Sequence, residues 1–150
     1  MTTRLAQAAD LPAVAALFDL YRQFYQQPAD AALALDFISQ RFHKAESVLL
    51  VAESGGQLLG FCQLYPSFCS VEAQPIYVLY DLFVQPDARQ MGAGRALLLA
   101  AEALAQAQGK SRMDLTTAKT NLTAQALYES LGWVRDEVFL TYTRSITALA

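Results

Sequence analysis

Val84-Gln85-Pro86-Asp87-Ala88-Arg89-Gln90-Met91-Gly92-Ala93-Gly94-Arg95-Ala96-Leu97-Leu98 is the stretch on which the reading of this chain turns. A β-rich apolar run ends at Val84, a proline turn follows, and two glycines open an alanine- and leucine-rich helix. The first N–H groups of a helix lack an intrahelical acceptor and carry partial positive charge, so such a start can hold an anion, a phosphate above all. Glycine lets the backbone approach that anion because no Cβ intervenes. An ordinary strand–turn–helix without a ligand would be written the same way.

Other phosphate loops fit less well. A dinucleotide fingerprint needs a third glycine three residues after Gly94, and Leu97 stands there. Gly109-Lys110-Ser111 looks like the tail of a P-loop, but Leu104 occupies the first glycine position, and Gly109 ends a helix instead of opening one.

Composition sets the frame. The 150 residues are 54% hydrophobic and 17% charged, which suits one globular domain over 1–150 with a real core. Apolar runs fall far short of the roughly 18 residues that cross a membrane, and the start has no secretory h-region, so a cytoplasmic protein is expected. Cys62 and Cys69 form no C-x-x-C and read as small buried hydrophobes in a reducing compartment. His43 is the single histidine, so neither a structural zinc site nor any other metal centre is expected, and no G-x-S-x-G accompanies it. Net charge is −3 with scattered basic residues, which argues against nucleic acid as a partner and is compatible with a cationic amine.

The periodicities predict an edge strand at 3–7, then a helix after Asp10 with Leu11, Val14, Leu17, Phe18 and Tyr21 on one face. Pro28 and Asp30 restart a second helix, with Leu33, Phe37, Ile38 and Phe42 inward. Val48–Glu53 and Leu58–Tyr65 flank Ser54-Gly55-Gly56-Gln57 as a hairpin, and a polar loop is expected from Pro66 to Pro75. Ile76–Val84 is a strand, Gly92–Gln108 a helix, Arg112–Thr117 a short strand and Asn121–Leu131 a helix. Trp133–Glu137 and Phe139–Thr143 are expected to close the sheet. The order β-α-α-β-β-β-α-β-α-β-β implies an α/β fold: a mixed, mostly antiparallel sheet of about seven strands with about four helices on its faces.

Arg89-x-x-Gly92-x-Gly94 matches the Q/R-x-x-G-x-G/A motif of the GNAT N-acetyltransferase superfamily, and the element order resembles that fold over nearly the whole chain. Asp81-Leu82-Phe83-Val84 and Asn121-x-x-Ala124-x-x-Leu127-Tyr128-Glu129-x-x-Gly132-Trp133 strengthen the resemblance. Thr117-Ala118-Lys119-Thr120-Asn121 and the ending Trp133–Thr143 look like the subgroup containing the yeast-type histone and polyamine acetyltransferases. That subgroup often shows a Glu-Asp pair where this chain has Tyr80-Asp81.

The resemblance implies acetyl-coenzyme A as cosubstrate. Its pyrophosphate would lie on the N–H groups of Gln90, Met91, Gly92, Ala93, Gly94 and Arg95, with Leu82, Phe83 and Val84 bonding the pantetheine arm like an added strand. Arg89 would aid the phosphate or cap the turn. Asn121 would bond the arm, cap its helix, or both. By the same resemblance Tyr128 is the general acid for the departing thiolate, against the alternative of a core aromatic. Asp81 breaks an apolar strand, and a buried carboxylate is costly without a partner. It would relay a proton from the ammonium through water, or accept loop N–H groups structurally. Tyr21, Tyr25, Tyr65, Phe68 and Glu72 are available for an acceptor pocket between the first two helices and the 66–75 loop.

The expected reaction is direct attack of a primary amine on the thioester in a ternary complex, a small-molecule amine being favoured. A protein or histone lysine side chain is the alternative acceptor, and a non-catalytic acyl-coenzyme A sensor is the alternative of another class. The family also suggests a homodimer as a candidate assembly.

Overall fold

A computed structural model describes residues 1–148. They form two compact units, Met1–Thr116 and a second starting at Thr117. The first unit is built on one sheet whose strands follow chain order: β1 (Thr2–Leu5), β2 (Val48–Ser54), β3 (Gln57–Cys69), β4 (Gln74–Val84) and β5 (Met113–Asp114). The first three pairings are antiparallel and β4–β5 is parallel. Parallel neighbours need a crossover, and α3 (Ala93–Ala107) provides it.

Helices α1 (Leu11–Phe24) and α2 (Ala31–His43) cover one face. Leu11, Val14, Leu17, Phe18, Ala34 and Ile38 pack there on Leu49, Val51, Phe61 and Phe83. Asp30 caps α2 by accepting from the Leu33 N–H at 3.0 Å. That placement turns Ala34 inward and leaves Leu33 47% exposed, one position off the expected inner face. Strand alternation sends Leu50, Ala52 and Cys62 to the opposite face, where α3 brings Leu97, Leu98, Ala101 and Ala105.

Five strands stand where about seven were expected. Among the described residues, Trp133–Glu137 and Phe139–Thr143 are not strands. Asp136 takes the N–H groups of Val138 and Phe139 at 2.9 and 3.4 Å, a local bonding that competes with a ladder. The Pro66–Pro75 loop is instead mostly strand, because β3 and β4 pair as far as Cys69 and Gln74. Strand β2 ends opposite Leu64, so Pro66 lies where β3 has a neighbour on one side only, a position that tolerates proline. The Arg112–Thr117 strand shortens to Met113–Asp114. The second unit holds α4 (Leu122–Ser130). No helix among the described residues is long and apolar enough to cross a membrane.

Candidate active site

The glycine turn leads into α3 as its spacing suggests. Gly92 is the N-cap at φ +82°, a left-handed conformation that a side chain would strain. The N–H groups of Ala93, Gly94 and Arg95 open the helix and have no intrahelical acceptor by its geometry. Gln90, Met91 and Gly92 are exposed beside them. The Arg89 Nε donates to the Val84 carbonyl at 3.1 Å, and its guanidinium lies 5.5 Å from the centre of the Phe83 ring.

The strand before that turn has two unlike halves. Tyr77 and Val78 pair with β5, whereas Leu79–Val84 pair with β3 alone among the described strands. Leu82, Phe83 and Val84 therefore keep one backbone edge outside any described ladder. Gln63 faces Asp81 and Leu64 faces Leu79, so Tyr80 is an extra residue, a β-bulge. Tyr80 is 64% exposed, and its carbonyl accepts the Tyr21 hydroxyl at 3.1 Å. Gly60 permits this end of the hairpin: a Cβ there would sit 2.7 Å from the Phe83 carbonyl oxygen.

Asp81 is 3% exposed. Burial pushes its carboxyl above the ordinary carboxylate range, while the Gln63 hydrogen bond first and the nearby Tyr21 phenol second pull it back. Gln63 supplies its Nε2 to Asp81 Oδ2 and accepts from the Ser47 hydroxyl at 2.7 Å. The partner that the structure gives Asp81 is thus a side chain on the neighbouring strand. Around it, burial first and the Asp81 charge second raise the Tyr21 phenol and the Cys62 thiol, and raise Tyr65 to about 12.

Of the expected acceptor side chains, Tyr21 and Tyr65 come within the influence of Asp81. Tyr25 stands edge-on to Tyr21 with ring centres 5.1 Å apart, and Tyr80 edge-on to Tyr65 at 5.7 Å. Glu72 is engaged elsewhere, its carboxylate 2.8 Å from Arg112. Phe68 is solvent-exposed. In the second unit, the Asn121 carbonyl oxygen caps α4 by accepting from the Ala124 N–H at 3.2 Å. Tyr128 is half-buried, with its ring tilted against Trp133 at 6.1 Å.

Gln63, Ser47, Tyr80 and Gly60 were not anticipated as parts of this site. Gln63 carried a signal: it breaks the apolar run of β3 as Asp81 breaks that of β4, and pairing the hairpin from its glycine turn brings the two together.

The model of the acetyltransferase (GNAT) family matches residues 14–133. The chain is 43% identical over 148 residues to the uncharacterized N-acetyltransferase YhfO of Bacillus subtilis, covering 99% of each. It is similar to a crystal structure of a probable acetyltransferase, with TM-score 0.92, 35% identity and 99% of both chains covered. The aminoglycoside N-acetyltransferase AAC(6')-Iy, solved in complex with CoA, shares the fold at TM-score 0.79 and 20% identity, with 97% of this chain and 95% of that one covered.

Proposed function

The chain belongs to the acetyltransferase (GNAT) family, and from that premise we propose that it acetylates the primary amine of a small molecule. The family gives the reaction class and acetyl-coenzyme A as the donor; the acceptor and the residue roles are our reading. The observation that carries it is Asp81, an acid 3% exposed, answered by an amide and a phenol and by no cation among the groups that act on it. An alkylammonium supplies the missing positive charge, and the faces of Tyr21 and Tyr65 suit its cationic and apolar parts.

The donor fits what the chain presents. The start of α3 offers N–H groups at a Cβ-free turn, and the edge of Leu82, Phe83 and Val84 offers backbone partners to an amide-bearing arm. When bound, acetyl-coenzyme A supplies an acetyl group activated as a thioester. An alkylammonium has a pKa of about 10 and must lose a proton before it attacks, and Asp81 accepts that proton directly or through water. A backbone N–H of β4 steadies the charge that builds on the carbonyl oxygen. The new C–N bond forms as the C–S bond breaks, Tyr128 protonates the departing sulfur, and the proton that the nitrogen sheds on becoming an amide passes through water to restore the Tyr128 hydroxyl. The role of Tyr128 rests on its place in Leu127-Tyr128-Glu129. Transfer is direct: Cys62 is buried with its thiol pushed up, which disfavours a covalent acyl-enzyme.

The family match from residue 14 to 133 supports treating the whole chain as one catalytic domain. Free cysteines accord with a cytosolic setting. Kinship with the yeast-type histone and polyamine subgroup belongs to the proposal and rests on Thr117–Asn121 and the ending Trp133–Thr143. A protein lysine is the second reading, favoured by the exposed Tyr80 next to Asp81. A homodimer belongs to the same proposal and is read by sedimentation.

The test is a thiol-release screen with acetyl-coenzyme A across free amines and lysine peptides. Turnover with small amines supports the proposal, and turnover confined to peptides transfers it to the second reading. Tight coenzyme A binding with no amine-dependent release marks a sensor and ends the catalytic reading. Tyr128→Phe should lower kcat by about a hundredfold with little change in coenzyme A affinity; unchanged turnover removes Tyr128 from the acid role.

A further inference from the structure

Asp81 has a built support on the neighbouring strand. Gln63 and Asp81 are register partners in β3 and β4, so both side chains leave the sheet on the same face. Gln63 is fully buried there. An amide side chain has one accepting end and one donating end. The Ser47 hydroxyl donates to Oε1 at 2.7 Å, which turns the NH2 end toward Asp81 Oδ2.

This orientation distinguishes the two forms of the acid. An NH2 group donates well to a carboxylate. It donates less strongly to the carbonyl oxygen of a protonated acid, so protonation weakens the bond. The titratable groups around Asp81 are Tyr21 from α1, Tyr65 from β3 and, on the opposite face of β3, Cys62, with Tyr80 adjoining it in β4. The first three are held in their neutral forms well above neutral pH. None of the four is a cation, so support for a negative charge falls to hydrogen-bond donors, Gln63 foremost.

We propose that Gln63, oriented by Ser47, is a positioning residue that keeps the buried Asp81 ionised and ready to accept a proton near neutral pH. The kinetic part of this proposal rests on Asp81 as the base. Burial alone would favour the protonated acid, which cannot take a proton from the amine. Ser47 acts one step further out: its hydroxyl bonds Gln63 and holds the carbonyl end of the amide away from Asp81.

The experiment pairs pH profiles of kcat/KM with the 13C titration of the Asp81 carboxyl, assigned by its loss in Asp81→Asn. In Gln63→Leu the acidic limb of the profile should move up by about one pH unit, a roughly tenfold loss on that limb that is recovered as pH rises. Ser47→Ala should move it the same way by less. The carboxyl signal should shift by the same amount in each variant. Ser47 lies at the edge of the network, so its variant serves should Gln63→Leu fail to fold. A folded variant whose carboxyl titrates as in the parent protein overturns the proposal. A carboxyl that shifts while the rate profile stays put preserves the control by Gln63 and removes Asp81 from the base role.

Discussion

The two halves of β4 are made of similar residues and do different work. Gln74–Val78 is flanked on both sides, by β3 throughout and by β5 at Tyr77 and Val78. At Tyr77 and Val78 the backbone has ladder partners on both sides, and Ile76 and Tyr77 are buried. Leu79–Val84 continues the same pairing with β3, but no described strand joins its other edge. That half carries the bulge at Tyr80 and the acid at Asp81. Unpaired backbone in the middle of a sheet is costly unless something else answers it. Tyr21 answers one carbonyl, that of Tyr80. The difference teaches that a strand becomes a site when its neighbour stops short.

The largest effect expected from breaking this contrast is Asp81→Asn. Turnover at neutral pH should fall by about 10²–10⁴-fold, checked by steady-state kinetics. The fold should not suffer. A carboxyl raised by burial stabilises the folded state below the ordinary carboxylate pKa and loses that contribution as pH rises through its elevated value. The difference in thermal stability between Asp81→Asn and the parent should therefore grow in favour of the variant as pH climbs from acid to neutral. A variant that melts far below the parent at pH 7 would make Asp81 structural instead. Asp10 has the opposite sign: Arg4 holds its carboxyl low, so its contribution is present above the ordinary carboxylate range and fades on acidification.

Gly60→Ala comes next and attacks the open half from across the hairpin. The added carbon collides with the Phe83 carbonyl, so a loss of about 1–3 kcal/mol is expected in denaturant melts. Weakened coenzyme A binding by calorimetry should accompany it, because the displaced backbone is the edge proposed to meet the pantetheine arm. Ile76→Val, in the doubly flanked half, is the smallest change. It should cost about 1 kcal/mol and leave kcat/KM unchanged. A marked kinetic effect of Ile76→Val would dissolve the division between the halves.

Much of this arrangement was legible in the residues. Arg89-x-x-Gly92-x-Gly94 marked the helix start, because a left-handed turn and unpaired N–H groups leave a local imprint. Asp81 announced itself as a charge in an apolar run. The Gly55-Gly56 turn fixed the hairpin. What stayed hidden was relational: Gln63 matters through its partner across the ladder, and Ser47 through Gln63. Strand lengths were also hidden, since Pro66 ends a central strand but not one with a free side. Phe139–Thr143 has strand composition, yet Asp136 bonds the N–H groups that would begin it.

The bulge offers one more handle. Leu79 and Asp81 already face Leu64 and Gln63, which are consecutive in the opposing strand. Excising Tyr80 would thus leave every rung on either side matched, while removing the kink together with the carbonyl that Tyr21 bonds and the ring beside Tyr65. A one-residue deletion there makes strand curvature an independent variable, separable from the acid it displays.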